Sequence, residues 1–308
     1  MRFDLLAETA TDLASFGTLP FRVDAPAQQR VPYVFNSPHS GNRYPPRLLA
    51  ASGLSALDLR RSEDVAVDAL FASVVPQGAP MLAANFPRAW LDVNREPYEL
   101  DPRLFDERLP AHANTRSSRV VGGLGTIARL VAENMPIYAE RPTLAEGLAR
   151  VDAVYRPYHA RLHGLMRDTA ATFGHAVLVD CHSMPSQAAG QTTGNDNGPR
   201  HDIVVGDRYG VSCNGAISRL LMDEFAALGY AVARNKPYAG GFITEHYGKP
   251  LRGLHAVQIE INRALYLDEA RMVPGPGFAA LEADIATVMA RLMALPDADF
   301  APHLMAAE

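Results

Sequence analysis

The run Ala176 to Cys181, A-V-L-V-D-C, with His182 and Ser183 directly behind it, restricts this chain more than any other stretch. Its first four residues are all apolar, so it reads as a strand buried on both faces at the centre of a sheet. Such strands belong to α/β proteins with helices on either side. The run ends on Asp180, Cys181, His182 and Ser183, ahead of Pro185 and a loop rich in Gly, Thr and Asn. Polar groups there are costly to bury for packing alone, and open α/β sheets bind ligands at the carboxyl ends of their strands. His182 is therefore a candidate site residue. A histidine satisfied within the core is the competing account.

The chain has 308 residues, 48% hydrophobic and 20% charged, enough for one large α/β domain spanning 1–308. The net charge is −5, and no basic cluster interleaves with aromatics, which argues against a nucleic-acid partner. No apolar run approaches the roughly 20 residues of a membrane span. Acids interrupt the opening M-R-F-D-L-L-A-E-T-A where a signal peptide needs an apolar core. With only Cys181 and Cys213 as cysteines, the expectation is a cytoplasmic protein with reduced thiols.

Residues 1–30 read as an irregular lead-in, followed by a strand over Pro32–Ser37 that ends in P-H-S-G and so presents His39. Ser62 is a plausible N-cap for a helix carrying Val65, Val67, Leu70, Phe71 and Val74, with Glu63 and Asp64 in its first turn. Helix-dipole pairing is the ordinary account of two such acids. Strands over Met81–Phe86 and Ala89–Val93 lead into D-V-N-R, where Arg95 beside Asn94 offers a planar fork to a carboxylate. Any single arginine carries little weight, because there are 27 against two lysines. The loop G-G-L-G-T at 122–126 lacks both phosphate-cradle spacings and reads as a turn.

Thr143–Thr172 has the clearest helical period, with a kink expected at Pro157. His159 and His163 lack the acid of H-E-x-x-H and read as core or surface residues. A strand follows at R-H-D-I-V-V-G-D, then a helix over Ser212–Leu228 and a strand over Tyr230–Arg234. The Gly-rich segment Y-A-G-G-F-I-T-E-H-Y-G-K-P reads as a loop able to close over a ligand. In the strand Ala256–Ile261, alternation sets Gln258 and Glu260 opposite Val257, Ile259 and Ile261. A helix over 277–293 packs at the end.

No serine elbow, C-x-x-C or dinucleotide fingerprint is present. Two strand-end histidines and a carboxylate make a standard catalytic zinc set with a position left for water. A further Glu can take a proton, and Arg or Asn can hold the substrate and its oxyanion.

Six blocks in order over about 32–270 resemble the N-formylglutamate amidohydrolase family: P-H-S-G at 38–41, E-D at 63–64, D-V-N-R at 92–95, D-C-H-S at 180–183, G-G-F-I-T-E-H-Y-G at 240–248 and Q-I-E-I-N-R-A-L-Y-L-D-E at 258–269. The resemblance implies a zinc-carboxypeptidase-like (phosphorylase/hydrolase-like) α/β fold, a mixed central β-sheet flanked by helices in a three-layer sandwich, with one zinc ion per chain. It implies His39, Asp64 and His182 as metal ligands and Glu260 as general base and proton shuttle. Asn94 and Arg95 then hold a substrate carboxylate, and Arg88 the oxyanion or a second carboxylate. Arg200, His246 and Tyr247 follow as further substrate-binding candidates. The carboxypeptidase H-x-x-E pair is absent, because 24 residues separate His39 from Asp64, and this leaves Glu63 and Asp68 as rival ligands. The implied reaction is hydrolysis of N-formyl-L-glutamate or a related N-acyl acidic amino acid. Another zinc deacylase or carboxypeptidase-type hydrolase, and a non-enzymatic metal- or small-molecule-binding module, are the alternatives.

Overall fold

The two longest apolar strands, Ala176–Met184 and Leu254–Asn262, lie side by side in the middle of the sheet in the computed structural model, which describes residues 11–17, 19–188, 201–296 and 300. The sheet has seven strands: β1 (Phe21–Asp24), β2 (Tyr33–Ser37), β3 (Met81–Ala84), β4 (Ala176–Met184), β5 (Ile203–Gly206), β6 (Val232–Arg234) and β7 (Leu254–Asn262). Their order is β1-β3-β2-β4-β7-β5-β6. The pairs β3–β2, β2–β4, β4–β7 and β5–β6 are parallel, whereas β1–β3 and β5–β7 are antiparallel. The sheet is therefore mixed, as expected.

Alternation along β4 and β7 divides the core. Val177, Val179 and Cys181, with Val257, Ile259 and Ile261, face a layer containing the helices Gly215–Ala227 and Phe278–Met293. Ala176, Leu178 and Ala256 face the opposite layer, which includes the helix Arg156–Phe173. Full burial of an aliphatic side chain such as Val179 or Ile259 is worth on the order of 2 kcal/mol, so the register is strongly specified. The same pleat turns Asp180, His182, Gln258 and Glu260 toward the second layer. At the carboxyl ends of the strands that layer opens into a cavity.

Several elements differ from the sequence expectation. The lead-in contains β1, an edge strand pairing Phe21 with Ala84, too short to register as a periodic pattern. Ala89–Val93 is a turn and not a strand, because the Trp90 and Leu91 amides both bond the Pro87 carbonyl. The helix at 143–172 changes its winding just ahead of Pro157. It runs as Leu144–Arg150, a wider π turn over Val151–Tyr155, and then Arg156–Phe173, with Pro157 directly beyond the π turn, which accommodates its ring and missing N–H. Thr143 and Glu146 form a capping box at its start.

Asp64 is not in the first turn of a helix. Its amide bonds the His39 carbonyl at 3.0 Å, which holds the segment against the strand-end turn, and helix resumes only at Val67–Leu70 after Ala66 in the left-handed region. Gly41 in that turn is required by space, since a Cβ would stand 2.1 Å from the Phe86 carbonyl oxygen. The Gly-rich loop contains a short helix, Phe242–Tyr247. Arg200 and most of the Gly/Thr/Asn loop lie outside the described residues. Among the described residues no helix is long and apolar enough to cross a membrane.

Candidate active site

His39, from the turn after β2, and His182, in the last part of the neighbouring β4, meet Asp64 between them. All three are buried, and one donor atom of each lies within 4.8 Å of the others. Nδ1 of both rings faces the same Asp64 oxygen, Oδ2, at 3.4 Å from His39 and 2.9 Å from His182. The far ring nitrogens are held by other carboxylates: His39 Nε2 by Asp92 Oδ1 at 2.8 Å and His182 Nε2 by Asp180 Oδ2 at 3.0 Å. Asp64 Oδ1 accepts from Ser183 Oγ at 3.1 Å and from Arg263 Nη2 at 3.3 Å.

This donor set fits a divalent cation. With each Nε2–H donated to a carboxylate, both Nδ1 atoms present lone pairs toward a carboxylate oxygen, an arrangement that repels itself without a positive charge between. His39 Nδ1 is buried and has no hydrogen-bond partner. Burial alone would lower the His182 imidazole, but Asp180 and Asp64 outweigh it and hold it well above its ordinary range. Burial likewise pushes Asp64 up, and the approach of His182 and His39 overrides this and holds its carboxyl well below the usual range. The cluster draws positive charge.

Glu260 stands directly across from His182 in the β4–β7 register. Burial, opposed by His182, raises its carboxyl to about 7, and Gln258 Nε2 donates to its Oε1 at 2.8 Å. The rivals of Asp64 are engaged elsewhere: Glu63 by the Tyr44 hydroxyl and Arg60, and Asp68 by Arg22.

Arg88 lines the cavity and donates Nε–H to Asp92 Oδ2 at 3.0 Å. Asn94 also lines it, but its Oδ1 accepts from the Ile243 amide at 2.8 Å, and Gly241 leaves room for its side chain, since a Cβ there would approach Asn94 to 2.5 Å. Arg95 is turned inward. Its Nε bonds the Leu124 carbonyl at 2.8 Å and its Nη1 the Asn94 carbonyl at 2.6 Å, and burial lowers it to about 10. Arg95 nonetheless lines the cavity, with Nη2 3.4 Å from Asp92 Oδ2.

His246 and Tyr247 are not among the cavity-lining residues. His246 is exposed and stacks on Phe242, while the Tyr247 hydroxyl bonds His159. His159 donates Nε2–H to the Val93 carbonyl, supporting the segment that carries Asn94, and His163 is exposed.

Sequence reasoning missed Asp92, Asp180 and Arg263 as supports of the cluster, and Arg119 and Tyr238 as cavity residues. The first three lie inside the blocks D-V-N-R, D-C-H-S and Q-I-E-I-N-R, so adjacency to the candidate residues was a usable signal. Nothing in the sequence marked Arg119.

An N-formylglutamate deformylase of Pseudomonas aeruginosa is 31% identical over 243 residues, 78% of this chain and 84% of that protein. One from Pseudomonas putida is 28% identical over 245 residues, 79% of this chain and 84% of that protein. The crystal structure of an N-formylglutamate amidohydrolase from Ralstonia eutropha JMP134 matches with a TM-score of 0.84 at 34% identity, covering 89% of this chain and 97% of that one. The model of the N-formylglutamate amidohydrolase family matches residues 31–267, the stretch that contains every residue of the cluster, and the chain belongs to that family.

Proposed function

We propose that this protein is a zinc-dependent amidohydrolase that cleaves the formamide C–N bond of N-formyl-L-glutamate, giving L-glutamate and formate. The observation that carries the reading is Glu260, a buried carboxyl raised to about 7, set across from His182 beside the His39–Asp64–His182 cluster. A cation-binding module would need the cluster but not this group.

His39, Asp64 and His182 would hold the zinc ion. When bound, that ion supplies a Lewis acid toward the substrate carbonyl and acidifies a water toward a pKa of about 7. Glu260, balanced near neutrality, takes a proton from the attacking water on one carboxylate oxygen and returns it to the amide nitrogen as the C–N bond breaks. Gln258 fixes the orientation of that carboxylate through Oε1. Arg88 keeps its terminal nitrogens for the oxyanion or the nearer substrate carboxylate while Asp92 holds its Nε.

The test is formate release from N-formyl-L-glutamate together with metal content, before and after chelation. One zinc per chain is expected, with release abolished by chelation and restored by zinc. Glu260→Gln should retain the metal and lose turnover by about 10²- to 10⁴-fold. Full activity in that variant would overturn the assignment of the base. Release only from acetyl or peptidyl analogues would move the substrate to the wider class of N-acyl amino acids, and no turnover on any would favour the module.

A further inference from the structure

Arginine is the cation of this cavity, which Arg61, Arg88, Arg95, Arg119 and Arg263 all line. Four of them are tied to protein groups. Arg95 is held by backbone carbonyls, and Arg263 by Ser183 Oγ at 3.1 Å and the Arg61 carbonyl at 2.8 Å. Arg61 pairs with Asp58 at 3.0 Å, and Arg88 Nε with Asp92 at 3.0 Å. Arg119 differs. It is exposed, and its guanidinium makes no hydrogen bond or ion pair with any described residue, although Asp64, Asp92 and Glu260 line the same cavity.

Its backbone, by contrast, is fixed. Arg119 sits in the short helix Ser118–Val121, capped by Ser117 Oγ on the Val120 amide at 3.1 Å. The Arg119 carbonyl accepts from the Leu124 amide at 2.8 Å, and the Leu124 carbonyl in turn holds Arg95. One segment thus pins Arg95 inward and leaves Arg119 with five unused donors. The two cations with open capacity overlap only in part: the charge of Arg88 bears on Glu260 as well as on Arg95 and Tyr238, whereas that of Arg119 bears on Arg95 and Tyr238 and is not among the leading influences on Glu260.

A substrate with a second carboxylate, held at its reacting end near Arg88, needs a cation away from the cluster. We propose that Arg119 recognises the distal carboxylate of the substrate and sets the preference for a dicarboxylic N-formyl amino acid over its neutral amide. The proposal rests on the hydrolase reading and replaces Arg95 as the carboxylate grip.

The experiment compares kcat/KM for N-formyl-L-glutamate and N-formyl-L-glutamine in the native protein, Arg119→Ala and Arg119→Lys. Arg119→Ala should lower the value for the glutamate about 10²-fold, mainly through KM, and leave the glutamine within about twofold. Arg119→Lys should recover part of the loss, since it keeps the charge without the planar fork. Equal losses on both substrates, or none on the glutamate, would overturn the assignment.

Glutarate binding, followed by calorimetry, needs no turnover and separates the two readings. If the native protein releases no formate from any formyl amino acid, the hydrolase reading fails. Glutarate binding that weakens about 10-fold or more in Arg119→Ala would still uphold Arg119, and equal binding by both proteins would overturn it.

Discussion

The strands β4 and β7 carry buried histidines at opposite ends, and the two ends behave in opposite ways. His255 opens β7 opposite Val177, and His182 lies near the end of β4 opposite Glu260. They are 2% and 3% exposed, so burial does not distinguish them. A carboxylate faces each ring nitrogen of His182, which is held well above its ordinary range. His255 accepts from the Asn214 amide at Nδ1, has no hydrogen-bond partner at its buried Nε2 and packs beside Phe300. Burial first, and His175 second, push it down to about 4. Carboxylates on both sides, rather than burial or strand-end position, make a histidine part of a charge-collecting site.

The largest effect should come from breaking that contrast at the cluster. His182→Ala is expected to lower zinc affinity by more than about 10²-fold, beyond the range of changes behind the ligands, and to remove formate release with it. His255→Gln should keep its full complement of zinc and its activity. Metal analysis of the two purified variants decides the matter. A fully loaded His182→Ala protein would remove His182 from the ligand set.

Asp180 sharpens the comparison at smaller amplitude. Its Oδ2 bonds His182 Nε2, and its Oδ1 accepts from Asn36 Nδ2 at 2.7 Å, itself positioned by the Tyr158 hydroxyl at 2.6 Å. Asp180→Asn keeps the shape and removes the charge that fixes the ring. Zinc affinity, measured by competition with a chelator, should fall 10- to 100-fold. Unchanged affinity would mean that the ring is oriented by packing alone.

How much of this was legible in the sequence follows from which interactions are local. The unbroken apolar run at the start of A-V-L-V-D-C reports on two-sided burial and the alternation in V-Q-I-E-I on which side each residue faces, so both central strands and the face of Glu260 could be read. The lead-in strand β1 could not, because four edge residues are specified by β3, some sixty positions away. Ser62 and two acids imitate an N-cap and so place Asp64 on a helix, whereas the long-range bond from its amide to the His39 carbonyl ties it to the strand-end turn. Arg95 and Arg119 show the same limit in the site. Each is an arginine in a polar segment, and only the folded loop decides which guanidinium turns inward.

The smallest effect tests the other end of the strands through the pH dependence of stability. His255 has its pKa lowered to about 4 in the folded chain, against about 6.5 when unfolded. The unfolded state therefore takes up the proton first as pH falls. The stability that His255 contributes by staying neutral is complete above about pH 6.5 and is lost progressively toward pH 4. His159, also lowered to about 4 by burial, slopes the same way, so His255→Gln should remove only part of the acid sensitivity. Urea unfolding at pH 7 and pH 5 is expected to show the native protein losing on the order of 1 kcal/mol more than the variant. Stability of His182 would run in the opposite sense, since a raised pKa favours the protonated fold at low pH in the metal-free protein. Identical slopes for the native protein and His255→Gln would mean that this ring does not stay neutral in the fold, and the contrast between the two ends of the sheet would then rest on the cluster alone.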